Sequence, residues 1–229
     1  MHSGSYSEPS LLFKEIAEFV RLAIEKESER FRSIPNKADH HGLFMSGCAL
    51  FRLQTSFSTA RFLLRQHYWI ELACIEKLIF EQICWSYNVR HLQGSKLYAV
   101  SPTSAVKAFK NLYPDAGIIY GLLNDIAHIS PRRSKDYLDL SDTKAPGVFM
   151  VSAKQTAKCA FLLLVLVDMF QVCSEYVYRD YHKRFLYTVR GKDGGLRLKA
   201  KRKTQTAIQR FQPRLKRIES DEDDADVPF

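Results

Sequence analysis

The chain has 229 residues, of which 46% are hydrophobic and 26% charged, and its formal net charge at pH 7 is +9. This length and apolar content suit a soluble globular body with one sizeable core. The longest uncharged run, nine residues from Cys159 to Val167, is far shorter than the roughly 20 residues that span a bilayer, so the composition argues against a membrane protein.

The N-terminal stretch MHSGSYSEPS is polar and has no cationic segment followed by an apolar one, so we expect no signal peptide and a cytoplasmic location. Five cysteines occur without a Cys-x-x-Cys pair. All five lie in apolar helical patterns, which predicts buried, reduced thiols rather than disulfides or a zinc site. They are Cys48, Cys74, Cys84, Cys159 and Cys173.

Helical periodicity dominates the first part of the chain. A first pattern runs from about Ser10 to Phe31, and two further patterns follow at about 43–66 and 67–89. Since almost nothing breaks the chain between them, these two patterns predict either one very long helix or two helices that meet near residues 65–67.

The remaining body also reads as helical. Residues 94–103 are predicted to form a loop, and 104–113 a short helix. Asp115 is a candidate N-cap of a helix that ends near Ile129, because an Asp side chain can accept the free amides of a first turn. The last long helix is predicted over about 151–187. The sequence therefore predicts an all-α bundle of five or six helices.

Charge is distributed unevenly near the C-terminal end. Residues 183–217 contain thirteen Lys or Arg and one acid, Asp193, whereas residues 218–229 carry a net charge of −6. We therefore expect three parts. Residues 1–188 form a helical domain, residues 189–217 a basic segment that contacts nucleic acid, and residues 218–229 an acidic docking tail.

The basic segment interleaves cations with the aromatic residues Phe185, Tyr187 and Phe211. Cations neutralise phosphates and aromatic rings stack on unpaired bases, so this mixture favours single-stranded nucleic acid. The glycines at 191–195 predict a β-hairpin. A flexible basic linker, or a final helix over 203–218, is the alternative. The expected contacts are Lys183, Arg184, Arg190, Arg197, Lys199, Lys201, Arg202 and Lys203.

The last four residues, Asp-Val-Pro-Phe at 226–229, follow the acidic run at 221–224. This ending resembles the C-terminal tip of bacterial single-stranded DNA-binding proteins, which closes on Asp-Ile-Pro-Phe and docks DNA-maintenance proteins such as RecQ and exonuclease I. The resemblance implies that Phe229 anchors the tip, that Pro228 and Val227 support it, and that the acids steer it: Asp223, Asp224 and Asp226. A solvated tail, or a tail that masks the basic segment, is the alternative.

The helical body resembles HEPN-like proteins in FLLRQHYWIELACIEKLIFEQICWSYNV and, further on, YGLLNDIAHISP. The resemblance implies candidate catalytic positions, which would be Glu81, Lys77, Asn124 and His128. In ribonucleases of that class, four to six residues separate an Arg from the following His. Only Arg61 and His67 fit this spacing, and roughly 1.6 such matches are expected by chance. We therefore expect a non-enzymatic protein, with a HEPN-like ribonuclease or toxin as the alternative.

No glycine-rich phosphate loop, nucleophile elbow or set of metal-spaced carboxylates occurs in the sequence, so we expect neither a cofactor nor a metal. Asp39, His40 and His41 could bind a metal, but without a partner cluster in the sequence a polar loop is the favoured interpretation. The expected partners are single-stranded nucleic acid and proteins that read the tip. A homodimer is a further expectation, because the pattern at 43–89 is very apolar.

Overall fold

The computed structural model describes residues 8–32, 34, 40–128, 138–139, 147–148, 152–192 and 194–221. These residues form seven α-helices, one 3-10 helix at Gly94–Ala99 and two short antiparallel hairpins, which confirms the all-α class. The elements are α1 (Glu8–Arg32), α2 (His41–Gln66), α3 (Trp69–Val89), α4 (Pro102–Phe109), α5 (Ala116–Ala127), β1 (Leu138–Asp139), β2 (Gly147–Val148), α6 (Ala153–Val177), β3 (Thr188–Arg190), β4 (Leu196–Leu198) and α7 (Lys203–Asp221).

The apolar stretch 43–89 forms two helices that meet at His67. This residue has a φ of 62°, a left-handed conformation that ends α2, and its backbone N–H bonds to the Leu64 carbonyl at 3.2 Å. Tertiary contacts hold the imidazole, since its Nε2 lies 3.2 Å from Ser10 Oγ and its ring 5.0 Å from that of Phe13. A non-glycine residue at positive φ is costly, so these contacts help to fix the corner.

Helix α6 is the central helix of the bundle and packs against α1, α2, α3 and α7. By length and composition this helix could cross a membrane, but 89% of its most apolar 18-residue stretch is buried inside the described bundle. This is what the core helix of a globular protein shows. The cytoplasmic location stays a prediction.

The end of one helix and the cap of another differ from the sequence-based prediction. Helix α6 ends at Val177 rather than near Tyr187, because the carboxylate of Glu175 binds the backbone of residues 186–188 and folds the chain back. Asp115 precedes α5 but its side chain makes no capping hydrogen bond. The cap of α4 is Ser101, whose Oγ accepts the Ser104 amide at 3.2 Å.

The prediction that all cysteines are buried is wrong for two of them. Cys48 and Cys74 are exposed, whereas Cys84, Cys159 and Cys173 are buried. Cys48 lies on an outward stripe of α2 that also exposes large apolar side chains, Phe44, Phe51 and Phe62. Periodicity alone did not reveal that this apolar helix has a solvent-facing side. The homodimer stays a prediction.

The basic segment is part of the same core rather than a flexible linker. The hairpin predicted around 191–195 is confirmed, with β3 and β4 antiparallel. The helix considered over 203–218 is also present as α7, and it packs against α6. Its apolar stripe is buried in the core, through Ile208, Phe211 and Leu215.

Candidate nucleic-acid interface

A single buried carboxylate anchors the hairpin to the bundle. Glu175 on α6 is 0% exposed and accepts hydrogen bonds from the amides of Tyr187 at 3.0 Å and Thr188 at 2.7 Å. The amide of Leu186 and the hydroxyl of Thr188 donate to the same carboxylate. Because four donors converge on one side chain, the start of β3 is fixed against the end of α6.

A second buried acid holds the ring of Tyr187. Its hydroxyl donates to Glu27 Oε2 at 2.8 Å, and Arg30 pairs with the same carboxylate at 2.9 Å. Burial raises the pKa of Glu27 despite the opposing charge of Arg30 and the hydrogen bond from Tyr187. Burial and the neighbouring Glu27 also raise the pKa of the Tyr187 hydroxyl, so it acts as a donor at neutral pH.

The hairpin has an inner and an outer face. Val189 lies opposite Arg197 in the register, and both are exposed, while Leu196 and Leu198 pack partly buried against the core. The turn closes through a bond from the Gly191 amide to the Gly195 carbonyl at 2.7 Å. The outer face therefore presents Arg197 on a support that the inner leucines hold in place.

Six of the eight predicted cations are exposed, and two are engaged inside the protein. Lys199 is half-buried and its Nζ donates to the Phe185 carbonyl at 2.6 Å. Arg202 is buried at 8% exposure and pairs with Asp168, so the assignment of Arg202 to the nucleic-acid surface is corrected. The exposed cations are Lys183, Arg184, Arg190, Arg197, Lys201 and Lys203.

The aromatic residues of the segment are less available than the sequence suggested. Tyr187 and Phe211 are buried in the core, and Phe185 is half-buried beneath Arg190, whose guanidinium carbon lies 5.5 Å from the ring centre. Two other aromatic residues, Tyr87 and Tyr176, lie beside the hairpin instead. Tyr87 is on α3, far from the basic segment in the chain, so the sequence does not link it to the hairpin.

The structure brings together two of the four positions implied by the HEPN-like resemblance. Lys77 Nζ lies 2.8 Å from His128 Nε2, which joins α3 to the end of α5. Glu81 is one turn from Lys77, and Asn124 is one turn from His128, so all four lie on two neighbouring helices. A cation beside an imidazole is an arrangement that can serve phosphate-ester chemistry.

The other candidate motifs have structural roles. His40 caps α2, because its Nδ1 accepts the Leu43 amide at 3.1 Å. Arg61 Nε donates to the Ala17 carbonyl at 2.8 Å, and His67 forms the corner between α2 and α3. Asp39 and the tip residues Asp223, Asp224, Asp226, Val227, Pro228 and Phe229 lie outside the described residues.

Comparison with known proteins gives no matching family model, no matching curated protein and no matching solved structure.

Proposed function

We propose that this protein binds single-stranded nucleic acid non-specifically through its basic hairpin and docks DNA-maintenance proteins through its C-terminal acidic tip. The observation that carries the first part is the outer hairpin face, where Arg197 stands opposite Val189 and further exposed cations flank the strands. Such a surface attracts phosphates by charge, and phosphate contacts carry no sequence information, which fits binding without sequence preference.

Binding of a labelled oligothymidylate and of a duplex of equal length, followed by fluorescence anisotropy, tests the first part. We expect tighter binding of the single strand and a loss of affinity in a double variant, Arg197→Gln with Lys201→Gln. Arg52→Gln removes an exposed cation from α2 and serves as the matched control, which should bind like the wild type. If the hairpin double variant binds as well as the control, the proposed surface is wrong.

The docking part rests on the sequence at 221–229, where an acidic run leads to Val-Pro-Phe. A terminal aromatic side chain supplies a large apolar contact, and the acids before it provide long-range attraction to a basic pocket rim. Ion pairs of Arg214 with Glu15 and of Arg217 with Glu8 hold the last turns of α7 against α1.

Exonuclease I is a suitable probe for the tip. We expect the intact chain to bind it in a surface-plasmon-resonance experiment and a chain lacking Phe229 to lose that binding. Val227→Ile, which introduces the residue usual in the resembling tips, should retain it. Equal responses from the intact and shortened chains would rule out docking through the final residue.

A second candidate function is metal-independent RNA cleavage, and the observation that favours it is the 2.8 Å contact between Lys77 and His128. In this scheme the His128 imidazole would take the proton of a ribose 2′-hydroxyl, whose oxygen would attack the adjacent phosphorus while the 5′-oxygen leaves and takes a proton from water. Lys77 would stabilise the charge on the phosphorus-bound oxygens. Cleavage of RNA in EDTA that disappears in His128→Ala but persists in His41→Ala would support it. Stable RNA binding without turnover would exclude it.

A further inference from the structure

Helix α2 presents a continuous uncharged stripe to solvent. The opposite side of the helix is buried against α1, α3 and α6, through residues such as Leu50, Leu53 and Phe57. A surface helix usually turns charged residues outward, whereas the centres of protein interfaces are depleted of charge. The six members of this outer stripe are all exposed, and they are Phe44, Cys48, Phe51, Thr55, Ser58 and Phe62.

The spacing of the outer stripe is that of a helix-pairing seam. Its positions follow one another at alternating steps of four and three residues, from Phe44 to Phe62. This is the heptad spacing that keeps one side of a helix facing a partner helix along its whole length. Because every position is exposed in the part of the chain that the structure describes, no described element of the same chain fills the seam.

The stripe is complementary to itself when two α2 helices run antiparallel with their midpoints at Leu53. All six positions then pair between the copies, and the pairs are Phe44 with Phe62, Cys48 with Ser58, and Phe51 with Thr55. A shift by one heptad would leave Phe44 or Phe62 without a counterpart. Two-fold symmetry makes each pair occur twice, as in isologous dimers. The order of residues in the stripe therefore fits a second copy of this chain.

Charge favours the antiparallel arrangement over the parallel one. Arg65 occupies the next position of the seam, three residues after Phe62, and is exposed. In a parallel pair the two copies of Arg65 would face each other, and the two helix dipoles would point the same way, both of which are unfavourable. In the antiparallel pair the two arginines lie at opposite ends of the interface, about 35 Å apart.

The exposed area of the stripe suits a weak dimer. Phe44 is 37% exposed, Phe51 55% and Phe62 59%. At about 200 Å² for a whole aromatic side chain, the three rings expose about 300 Å² in each copy, or about 600 Å² in two. Homodimer interfaces are about 65% apolar, so the whole interface buries about 900 Å², close to the ~1,000 Å² that a specific complex needs. Such a dimer should dissociate on dilution.

We propose that this protein forms a two-fold dimer in which the outer stripes of two α2 helices pack antiparallel. The proposal goes beyond the nucleic-acid and docking functions and does not rest on them. It assigns an interface to the homodimer that the apolar sequence pattern led us to expect. The dimer is in equilibrium with the monomer, and the three phenylalanines of each copy supply most of its apolar contact.

A disulfide between copies tests the antiparallel register. Ser58→Cys places a thiol opposite the native Cys48 of the other copy, and mild oxidation should link the two. Within one helix these positions are about 15 Å apart, too far for a disulfide, so the link can form only between copies. We expect mass spectrometry to identify a peptide that joins position 48 to position 58.

The wild type and Ile118→Cys, an exposed position on α5, are the controls and should give no dimer linked through Cys48. A link between two copies of Cys48 in the wild type would overturn the antiparallel arrangement in favour of a parallel one. A Ser58→Cys protein that forms no link between positions 48 and 58 would overturn the register.

Sedimentation equilibrium tests the interface independently of the disulfide. The wild type should pass from monomer to dimer as its concentration rises, and Phe51→Glu should raise the dissociation constant at least about tenfold. Ile118→Glu, the same charge at a position that is 68% exposed, should dimerise like the wild type. Because both side chains are exposed, both variants should keep the circular-dichroism spectrum of the wild type.

A Phe51→Glu variant that dimerises like the wild type, or a wild type that stays monomeric up to its solubility limit, would overturn the proposal. A monomeric wild type whose melting temperature falls in Phe51→Glu and not in Ile118→Glu would assign the stripe to a segment of the same chain instead.

Discussion

Arg202 and Asp168 form a two-pronged ion pair inside the protein. Arg202 Nε lies 2.8 Å from Oδ1, and Nη2 lies 2.7 Å from Oδ2 of the carboxylate. Thr204 Oγ1 at 2.6 Å and the Tyr113 hydroxyl at 3.1 Å complete the set of donors. The pair joins the start of α7 to the middle of α6, so one cation of the most basic part of the chain stabilises the fold.

Truncation of this pair should destabilise the protein strongly. Arg202→Ala leaves a buried carboxylate without its cation, and we expect it to lower the free energy of unfolding by about 3 to 5 kcal/mol. Lys203→Ala, which removes the exposed neighbour, should change it by less than about 0.5 kcal/mol. Urea denaturation measures both. Equal free energies of unfolding for the two variants would contradict the structural role of Arg202 and favour its assignment to the nucleic-acid surface.

Glu76 on α3 gives the fold a defined pH dependence. Its carboxyl is 0% exposed and lies beside the thiol of Cys159. Burial raises the pKa of Glu76 well above its ordinary value, with the Cys159 thiol offsetting this only in part. The folded state therefore holds a proton that the unfolded state releases above its own pKa, and stability falls as pH rises through that interval.

Glu76→Gln should remove this dependence. We expect the difference in unfolding free energy between the variant and the wild type to grow in favour of the variant above pH ~5, by at most about 1.4 kcal/mol per pH unit and only while the folded carboxyl keeps its proton. Urea denaturation at pH 5, 6, 7 and 8 measures it. Glu71→Gln, an exposed change on the same helix, is the control. A difference that does not vary with pH would show that Glu76 ionises in the folded protein.

Glu175 should control the order of the hairpin. Glu175→Ala removes the acceptor of the amides of residues 186–188, and we expect their hydrogen-exchange protection to fall roughly a hundredfold, in line with unsatisfied buried donors. Nucleic-acid affinity should fall with it. Glu18→Ala, on the exposed side of α1, should leave both unchanged. Unaltered protection in Glu175→Ala would mean that the strands are held by other contacts.

Two helical glycines should respond in opposite directions to alanine. A Cβ at Gly42 would lie closer than 3.0 Å to the carbonyl oxygens of Val89, Leu92 and Arg90, all of them backbone atoms. Gly42→Ala should therefore cost about 1 to 3 kcal/mol through overpacking. Gly121 in α5 has no described atom within 4 Å of that position, so Gly121→Ala should stabilise by about 0.5 to 1 kcal/mol. Thermal melting compares them, and a stabilised Gly42→Ala would contradict the packing.

The first three helices could be predicted because their apolar residues recur at helical spacing, and the bounds agree closely with α1, α2 and α3. The end of α6 could not be predicted from the sequence. The helical pattern was predicted to continue beyond Val177, but the chain turns back there and the amides of residues 187 and 188 bind Glu175. That interaction is tertiary and leaves no mark in local periodicity.

The candidate site was predictable in its charge and not in its detail. The run of cations indicated a basic surface, but which cations reach solvent depends on Asp168, 34 residues before Arg202. The acidic residue Asp168, at the end of the apolar run of α6, was the available signal that a cation such as Arg202 would be buried beside it. The cleft beside the hairpin is lined by Tyr87, Tyr176 and Arg190 from three different elements, so no linear motif contains it.

The most direct test of the central claim is the salt dependence of single-strand binding by the wild type and by an Arg190→Gln, Arg197→Gln double variant. If the hairpin contacts phosphates, the slope of log affinity against log salt should become shallower by about 0.7 for each cation removed, or about 1.4 in total. Arg52→Gln should keep the wild-type slope. Parallel lines for all three proteins would contradict the claim that the hairpin binds the strand.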